Sequence, residues 1–182
     1  MSDDEGQWKI AEVWRRMREP WWGRWGIDLA IVGLILLGVL MFQTRNLVGN
    51  GEQIPEVQLE TVDGEVEPIV SKESDKTLIY FWATWCGVCS AENGTVDWAR
   101  SLLGDGVAVR SVVLDHRGPQ AVQAAVDEKG IEYPVLLGNR RVQQLFNVTS
   151  FPTFYVLSKK GEVLRKSVGY TTTLGLVGRA WF

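Results

Sequence analysis

The sequence predicts an α/β domain with a central mixed sheet, flanking helices and an N-terminal β-hairpin, preceded by one transmembrane helix. Strand-like and helix-like apolar segments alternate after residue 55. An unbroken apolar run covers residues 29–42, and both cysteines stand in one C-x-x-C motif. The composition is 46% hydrophobic and 23% charged with a net charge of -3. These values exclude a wholly disordered chain and give no electrostatic reason to expect a nucleic acid.

The apolar run indicates an uncleaved membrane anchor, assigned to residues 25–44. At 1.5 Å per residue, Trp25 to Phe42 spans about 27 Å, close to the thickness of a bilayer's hydrocarbon core. A cleaved signal peptide is the alternative, but no A-x-A-like site follows Phe42, and residues 1–24 are long for the segment that precedes such a core. Five of the nine Trp and all three Met fall within residues 1–45, so the chain has two unlike parts.

Basic residues near the run predict its orientation. Only Arg45 follows the run before Lys72, whereas several basic residues precede it. We therefore expect residues 1–24 on the cytoplasmic side and the rest of the chain on the other. Residues 45–55 are polar and contain glycine, which is typical of a linker to a domain over 56–182. The preceding basic residues are Lys9, Arg15, Arg16, Arg18 and Arg24.

The predicted elements of the domain follow from local patterns. Val57 to Thr61 alternates at period two and is joined through Asp63-Gly64 to 65–70, which indicates a hairpin. The continuous apolar run 78–82 is typical of a central strand buried on both faces. The remaining predicted elements are a helix over 87–103, a strand over 107–114, a helix over 120–129, a strand over 134–137, a helical turn over 140–146, strands over 153–157 and 162–169 that form an antiparallel pair, and an amphipathic segment over 172–181.

The two cysteines lie where the central strand gives way to the first helix of the domain. Backbone N–H groups at a helix N-terminus and the helix dipole favour a thiolate, so Cys86 is the candidate nucleophile. Cys89 follows three residues later on the same helix face and can close a disulfide with Cys86. We therefore interpret Cys89 as the resolving thiol.

Three other interpretations of the pair stay open. A structural disulfide that encloses two residues constrains little of the unfolded chain. A copper(I) site using both thiols suits soft ligands, although the domain adds only His116 and no Met. An inert buried pair is the third, but the strand-to-helix junction favours exposure of Cys86. Two cysteines exclude a four-cysteine zinc or iron–sulfur site, and we expect no cofactor and no structural metal.

The chain resembles the thioredoxin superfamily in two sequence segments. The first is Phe81-Trp82-Ala83-Thr84-Trp85-Cys86-Gly87-Val88-Cys89, and the second is Thr149-Ser150-Phe151-Pro152-Thr153. The N-terminal anchor, the hairpin and Glu92 resemble its membrane-anchored TlpA/ResA/DsbE-like branch, and most closely the group of the suppressor of copper sensitivity protein D. The resemblance covers residues 55–182 and implies a thioredoxin-like fold.

The resemblance also implies further site residues. Pro152 is expected to be cis, with Phe151 offering its backbone to an extended client segment. Apart from the resemblance, Trp85 directly precedes Cys86 and is expected to be partly exposed beside it. Gly87 and Val88, between the cysteines, are expected to tune the redox potential. Thioredoxin has a buried Asp where this chain has Tyr80, so that proton acceptor is missing. Glu92 is the candidate substitute, and a solvated carboxylate on the helix face is the alternative. These site residues are Trp85, Gly87, Val88, Glu92, Phe151 and Pro152.

From the resemblance we expect a protein-disulfide oxidoreductase that reduces or exchanges disulfides of client proteins. The expected location is the bacterial inner membrane, with a single pass, a cytoplasmic N-terminus and a periplasmic catalytic domain. Expected partners are clients of cytochrome c maturation or copper handling and a membrane electron donor of the DsbD or CcdA type.

Overall fold

The computed structural model describes residues 21–45 and 47–182 of the chain. Helix α1 is Trp21–Arg45, and its described apolar side chains are exposed. In the part of the chain described, no helix combines the length and the apolarity that a membrane span requires. Residues 1–20 of the predicted cytoplasmic segment lie outside the described residues. The chain divides into two compact units after Phe42. The second unit, Gln43–Phe182, contains all the described strands and the helices that follow α1.

A five-stranded mixed sheet forms the centre of the second unit. Its strands are β3 (Lys76–Trp82), β4 (Val107–Val113), β5 (Val135–Leu137), β6 (Thr153–Ser158) and β7 (Val163–Val168). They lie in the order β5-β4-β3-β6-β7. Strand β3 pairs in parallel with β4 and antiparallel with β6, so the predicted central strand is confirmed. The predicted antiparallel end is confirmed by β6 and β7.

The predicted hairpin is also present. Strands β1 (Gln58–Glu60) and β2 (Val66–Pro68) form a separate antiparallel pair. The helices of this unit are α2 (Gly87–Leu103), α3 (Pro119–Lys129), α4 (Arg140–Leu145) and α5 (Thr173–Trp181).

Alternate residues of β3 build two apolar layers, because successive side chains of a strand point to opposite faces. Leu78, Tyr80 and Trp82 pack with α2, α3 and α5 on one face. Ile79 and Phe81 pack on the other face with α4 and the hairpin. All five side chains are fully buried, which explains the continuous apolar run in the sequence.

Residues 47–54 differ from the predicted linker over 45–55, because they are packed against the domain. Leu47, Val48 and Ile54 are buried in the second layer. The Lys166 ammonium donates to the carbonyl oxygens of Leu47 and Val48, both at 3.0 Å. The backbones of 51–54 and 161–163 exchange further hydrogen bonds along the outer side of β7. The polar and glycine-containing composition of this segment indicated a loop. Composition alone could not show that its few apolar side chains pack against the domain.

Helix α2 starts where β3 ends, and this junction positions the cysteines. The Cys86 N–H donates to the Ala83 carbonyl at 3.1 Å, which closes a turn after the strand. Cys86 is the extended N-cap residue of α2, and Gly104 ends the helix with a φ of 62° that suits glycine. The α2 N-terminus therefore lies at the carboxyl end of the central strand, as predicted.

Candidate active site

Cys86 and Cys89 form a disulfide across the first turn of α2. Their Cα atoms are 5.2 Å apart, within the usual range for a disulfide. The Cys86 Sγ accepts a hydrogen bond from the Cys89 N–H at 3.2 Å, so it occupies the position of an N-cap acceptor. A thiolate at this sulfur would receive the same N–H and the positive end of the helix dipole. The position predicted for the nucleophile therefore has the expected donor.

Exposure distinguishes the two sulfurs. Cys86 is 7% exposed and Cys89 is fully buried. Cys86 is less open than its place at a strand–helix junction suggested, because it packs in the layer that holds Tyr80 and Trp82. It is nevertheless flanked by the exposed residues Gly87 and Val88. Of the two cysteines, only Cys86 has surface that solvent reaches.

Trp85 forms one wall beside Cys86. It is 63% exposed, and its indole Nε1–H donates to the Asp115 carboxylate at 2.9 Å. Its ring meets Phe151 edge-on, with a centroid separation of 5.8 Å. These two contacts fix the indole in the exposed position that the sequence predicted.

The Phe151–Pro152 peptide bond is cis, as the family resemblance implied. Pro152 is buried, and its carbonyl accepts from the Gly169 N–H at 2.8 Å. Phe151 is half-buried, and its backbone N–H and C=O have no hydrogen-bond partner among the described residues. The geometry brings Phe151 to Trp85, and Trp85 directly precedes Cys86.

Glu92 is fully buried, so the alternative of a solvated helix-face carboxylate is wrong. Both carboxylate oxygens lie 3.3 Å from the Thr171 backbone nitrogen, whose N–H they share. Burial raises the pKa of Glu92 to about 7, and the Thr171 N–H opposes part of this rise. The carboxyl group therefore titrates near neutral pH, on the helix face that carries Cys89.

Tyr80 is buried on β3, at the position where thioredoxin has an Asp. Its hydroxyl donates to the Cys89 carbonyl at 3.1 Å and lies 3.3 Å from the Asn93 Oδ1. The Tyr133 hydroxyl donates to the same Oδ1 at 3.1 Å. Sequence reasoning missed Asn93 and Tyr133. The signal for Asn93 was its place four residues after Cys89, on the same face of α2.

A cleft of about 550 Å³ opens beside Trp85 and Phe151, which form part of its lining. His116 borders it, and its Nδ1 accepts from the Gly118 N–H at 3.2 Å while its Nε2 lies 3.1 Å from the Gly138 carbonyl oxygen. Other residues that line the cleft are Asp115, Asn139, Arg140, Gln143, Thr149 and Ser150.

Among the residues described, no group of three or more His, Cys, Asp and Glu side chains is arranged to hold a metal ion. In this structure the two sulfurs are bonded to each other rather than free as ligands.

Curated relatives resemble this chain over most of its length. Thioredoxin-like protein YneN of Bacillus subtilis is 29% identical over 156 residues, which is 82% of this chain and 92% of the relative. The thiol-disulfide oxidoreductase ResA of Oceanobacillus iheyensis is 28% identical over 152 residues, 77% of each chain.

The fold is that of known thioredoxin-like structures. StoA from Bacillus subtilis superposes with a TM-score of 0.62 at 23% identity, over 69% of this chain and 96% of that one. The family model described as Redoxin matches residues 49–175. That match includes the cysteine pair, Glu92 and the cis-proline loop, and it covers more than half of the chain. The resemblance to thioredoxin-like thiol-disulfide oxidoreductases is thus confirmed, the placement in the group of the suppressor of copper sensitivity protein D stays a prediction, and the chain belongs to the Redoxin family.

Proposed function

We propose that this chain is a thiol-disulfide oxidoreductase in which Cys86 attacks and Cys89 resolves. The single observation that carries the proposal is the Cys86–Cys89 disulfide at the α2 N-terminus, where the Cys86 Sγ accepts the Cys89 N–H. Relatives named as thiol-disulfide oxidoreductases support the same activity. A bond that encloses two residues adds little stability, so a purely structural role explains the pair less well.

The reductive cycle uses two electrons. The Cys86 thiolate attacks one sulfur of a client disulfide, and the other client sulfur leaves with the bonding electron pair and takes up a proton. Cys89 then loses its proton and attacks the Cys86 Sγ of the mixed disulfide. The Cys86–Cys89 bond forms, the bond from Cys86 to the client breaks, and the client leaves as a dithiol. The same steps in reverse oxidise a client.

Glu92 is proposed to accept the proton that Cys89 gives up. It is buried on the α2 face that carries Cys89, and its pKa of about 7 suits an acceptor that must release the proton again. Tyr80 cannot take this role, because burial raises the pKa of its hydroxyl far above the neutral range. Glu92 therefore replaces the acid that thioredoxin carries on the central strand.

Clients are proposed to bind along Trp85 and Phe151. The unpaired backbone of Phe151 can exchange hydrogen bonds with an extended client segment. The exposed indole of Trp85 offers apolar area beside the reactive sulfur. The resemblance to the suppressor of copper sensitivity protein D group favours clients of cytochrome c maturation or copper handling, and a DsbD- or CcdA-type electron donor.

We also propose that α1 anchors the chain in a bacterial inner membrane, with the domain in the periplasm. The support is the 14-residue apolar run in residues 29–42, the exposure of its described side chains, and the basic residues before it. In a membrane preparation of cells that express the full chain, extraction with alkaline carbonate should leave it in the pellet. Recovery in the supernatant contradicts the anchor and leaves the redox proposal intact.

Trapping of mixed disulfides tests the assigned roles. Cys89→Ser should accumulate a covalent complex with a disulfide-containing client, because nothing resolves it, whereas Cys86→Ser should form far less. If the two variants behave alike, the roles are wrong. Stoichiometric copper(I) binding by a wild-type chain without disulfide reductase activity would favour the copper-binding alternative. Equilibration with a glutathione buffer gives the redox potential, and so the direction of electron flow.

A further inference from the structure

We propose that Tyr80 is a positioning residue for the resolving step. Its hydroxyl holds the Cys89 carbonyl and so fixes the first turn of α2 in the orientation from which Cys89 attacks. The inference rests on the thiol-disulfide exchange proposed above and assigns it a residue that makes no contact with the client.

Tyr80 presents its hydroxyl from a rigid part of the fold. It lies on β3, the middle strand of the sheet, and is fully buried. Its ring stacks on Phe154 of the neighbouring strand, with centroids 5.0 Å apart and planes inclined by 13°. The hydroxyl reaches the Cys89 carbonyl at 3.1 Å. A group held in this way on a strand can restrain the helix turn that carries Cys89.

The arrangement of donors directs the Tyr80 proton to Cys89. A tyrosine hydroxyl has one proton, and Tyr80 has two acceptors within reach, the Cys89 carbonyl at 3.1 Å and the Asn93 Oδ1 at 3.3 Å. Tyr133 already donates to that Oδ1, so the amide oxygen has a donor without Tyr80. Burial raises the pKa of both tyrosines far above the neutral range, and both therefore remain donors.

The Asn93 side chain adds a reason for a fixed arrangement. Its Nδ2 is buried and has no hydrogen-bond partner among the described residues, so the amide is held by its oxygen. Tyr133, whose hydroxyl donates to this oxygen, lies outside α2, as does Tyr80. The buried face of α2 is thus fastened to the rest of the domain at two points, by Tyr80 at the Cys89 carbonyl and by Tyr133 at the Asn93 amide.

The consequence falls on the second half of the exchange. In the resolving step, the Cys89 thiolate attacks the Cys86 Sγ, the Cys86–Cys89 bond forms, and the client sulfur leaves with the electron pair and takes a proton. The rate of such an intramolecular attack depends on how often the nucleophile is correctly oriented. Loss of the Tyr80 hydroxyl should lower that fraction. The first attack, by Cys86, should not change, because Tyr80 bonds the Cys89 carbonyl and not the Cys89 N–H that the Cys86 Sγ accepts.

Reaction of the reduced full chain with dithiobis(nitrobenzoate) separates the two steps. The attack by Cys86 releases a first nitrothiobenzoate anion, and the attack by Cys89 on the mixed disulfide releases a second. The absorbance of this anion therefore follows both phases. In Tyr80→Phe the second phase should slow about two- to tenfold, the range that one lost neutral hydrogen bond implies. The first phase should be unchanged. Phenylalanine keeps the stacking on Phe154, so the variant retains its core.

Tyr155→Phe is the matched control. Tyr155 is also fully buried and hydrogen-bonded through its hydroxyl, but it lies in the layer on the other face of the sheet. It should leave both phases as in the wild type. The proposal is overturned if Tyr80→Phe resolves as fast as Tyr155→Phe, or if both of its phases slow by the same factor. A wild-type chain that releases no second equivalent would instead contradict the proposed function itself.

Discussion

The Glu92 carboxylate and the Thr171 backbone N–H meet at 3.3 Å between α2 and the start of α5. This contact is the only hydrogen bond to Glu92 within the residues described, and it is weak compensation for a fully buried charge. Burial raises the pKa of this carboxyl group to about 7, and the group destabilises the fold whenever it is ionised. That cost gives a measurable pH dependence.

Stability of the oxidised chain should fall as the pH rises through the range between the unfolded and folded pKa values of Glu92. The folded pKa of about 7 lies above the value of 4.5 for a solvated Glu side chain, so the folded state binds more protons in that window. Stability is thus highest below about pH 4.5 as far as this group is concerned, and lower above pH 7. The difference is on the order of 3 kcal/mol.

Glu92→Gln removes this dependence, because the amide is neutral at every pH. Urea unfolding of the disulfide form at about pH 5 and about pH 8 should show a smaller loss of stability for the variant than for the wild type. Burial also raises the pKa of Asp97, which adds a loss of the same sign to both proteins and cancels in the comparison. Equal losses in the two proteins would show that Glu92 does not titrate in this range.

Removal of the Phe151 ring should slow the capture of a protein client. Phe151→Ala takes away the aromatic contact with Trp85, whose centroid separation is 5.8 Å, and part of the proposed client surface. Mixed-disulfide formation by Cys89→Ser with insulin that carries its native disulfides should therefore slow roughly three- to tenfold. The reaction with dithiobis(nitrobenzoate), which is too small to use this surface, should not change. Val66→Ala is the control, since Val66 is 65% exposed on the separate hairpin. A loss of equal size with both substrates would indicate that the Cys86 thiol, rather than client binding, has been altered.

Much of the fold could be predicted because its determinants are local. The run that became β3 is apolar at every position that the two core layers need, and the turn residues Asp63-Gly64 mark the hairpin. The cysteine pair could be placed because a strand-to-helix junction is itself a sequence pattern. The cis state of Pro152 came from family resemblance alone, since few X-Pro bonds in folded proteins are cis.

The network below the dithiol could not be predicted, because it depends on contacts distant in sequence. Tyr80 and Asn93 are 13 residues apart, and Tyr133 is 40 residues from Asn93. The sequence showed only that Tyr80 stands where thioredoxin has a buried Asp. The packing of 47–54 was hidden for the same reason, since its hydrogen-bond partners lie more than 100 residues further on.

Segment 47–54 should be stabilised by Tyr155 in particular. The Tyr155 hydroxyl donates to the Phe146 carbonyl at 2.6 Å and accepts from the Val48 N–H at 3.2 Å. Tyr155→Phe leaves both backbone groups without this partner and should cost about 1–3 kcal/mol of unfolding free energy. Thermal unfolding measures the loss, with Tyr170→Phe, at a residue that is 59% exposed, as the neutral control. If the two variants unfold alike, the segment does not depend on this contact.

A matched pair of glycine substitutions should have opposite effects on stability. A Cβ at Gly138 would lie 2.6 Å from Leu114 and 2.9 Å from the Val113 carbonyl, so the β4–β5 edge beside the cleft must shift. Gly138→Ala should therefore destabilise the domain by about 1–3 kcal/mol. A Cβ at Gly94 meets nothing within 4 Å, and Gly94 lies in the interior of α2.

Gly94→Ala should accordingly stabilise the chain by up to about 1 kcal/mol, because alanine is the better helix former. Urea unfolding of both variants beside the wild type tests the pair. A destabilised Gly94→Ala would mean that α2 needs a bend at this glycine. The bend would then lie one residue after Asn93, and the Tyr80 contact to the first turn would depend on it.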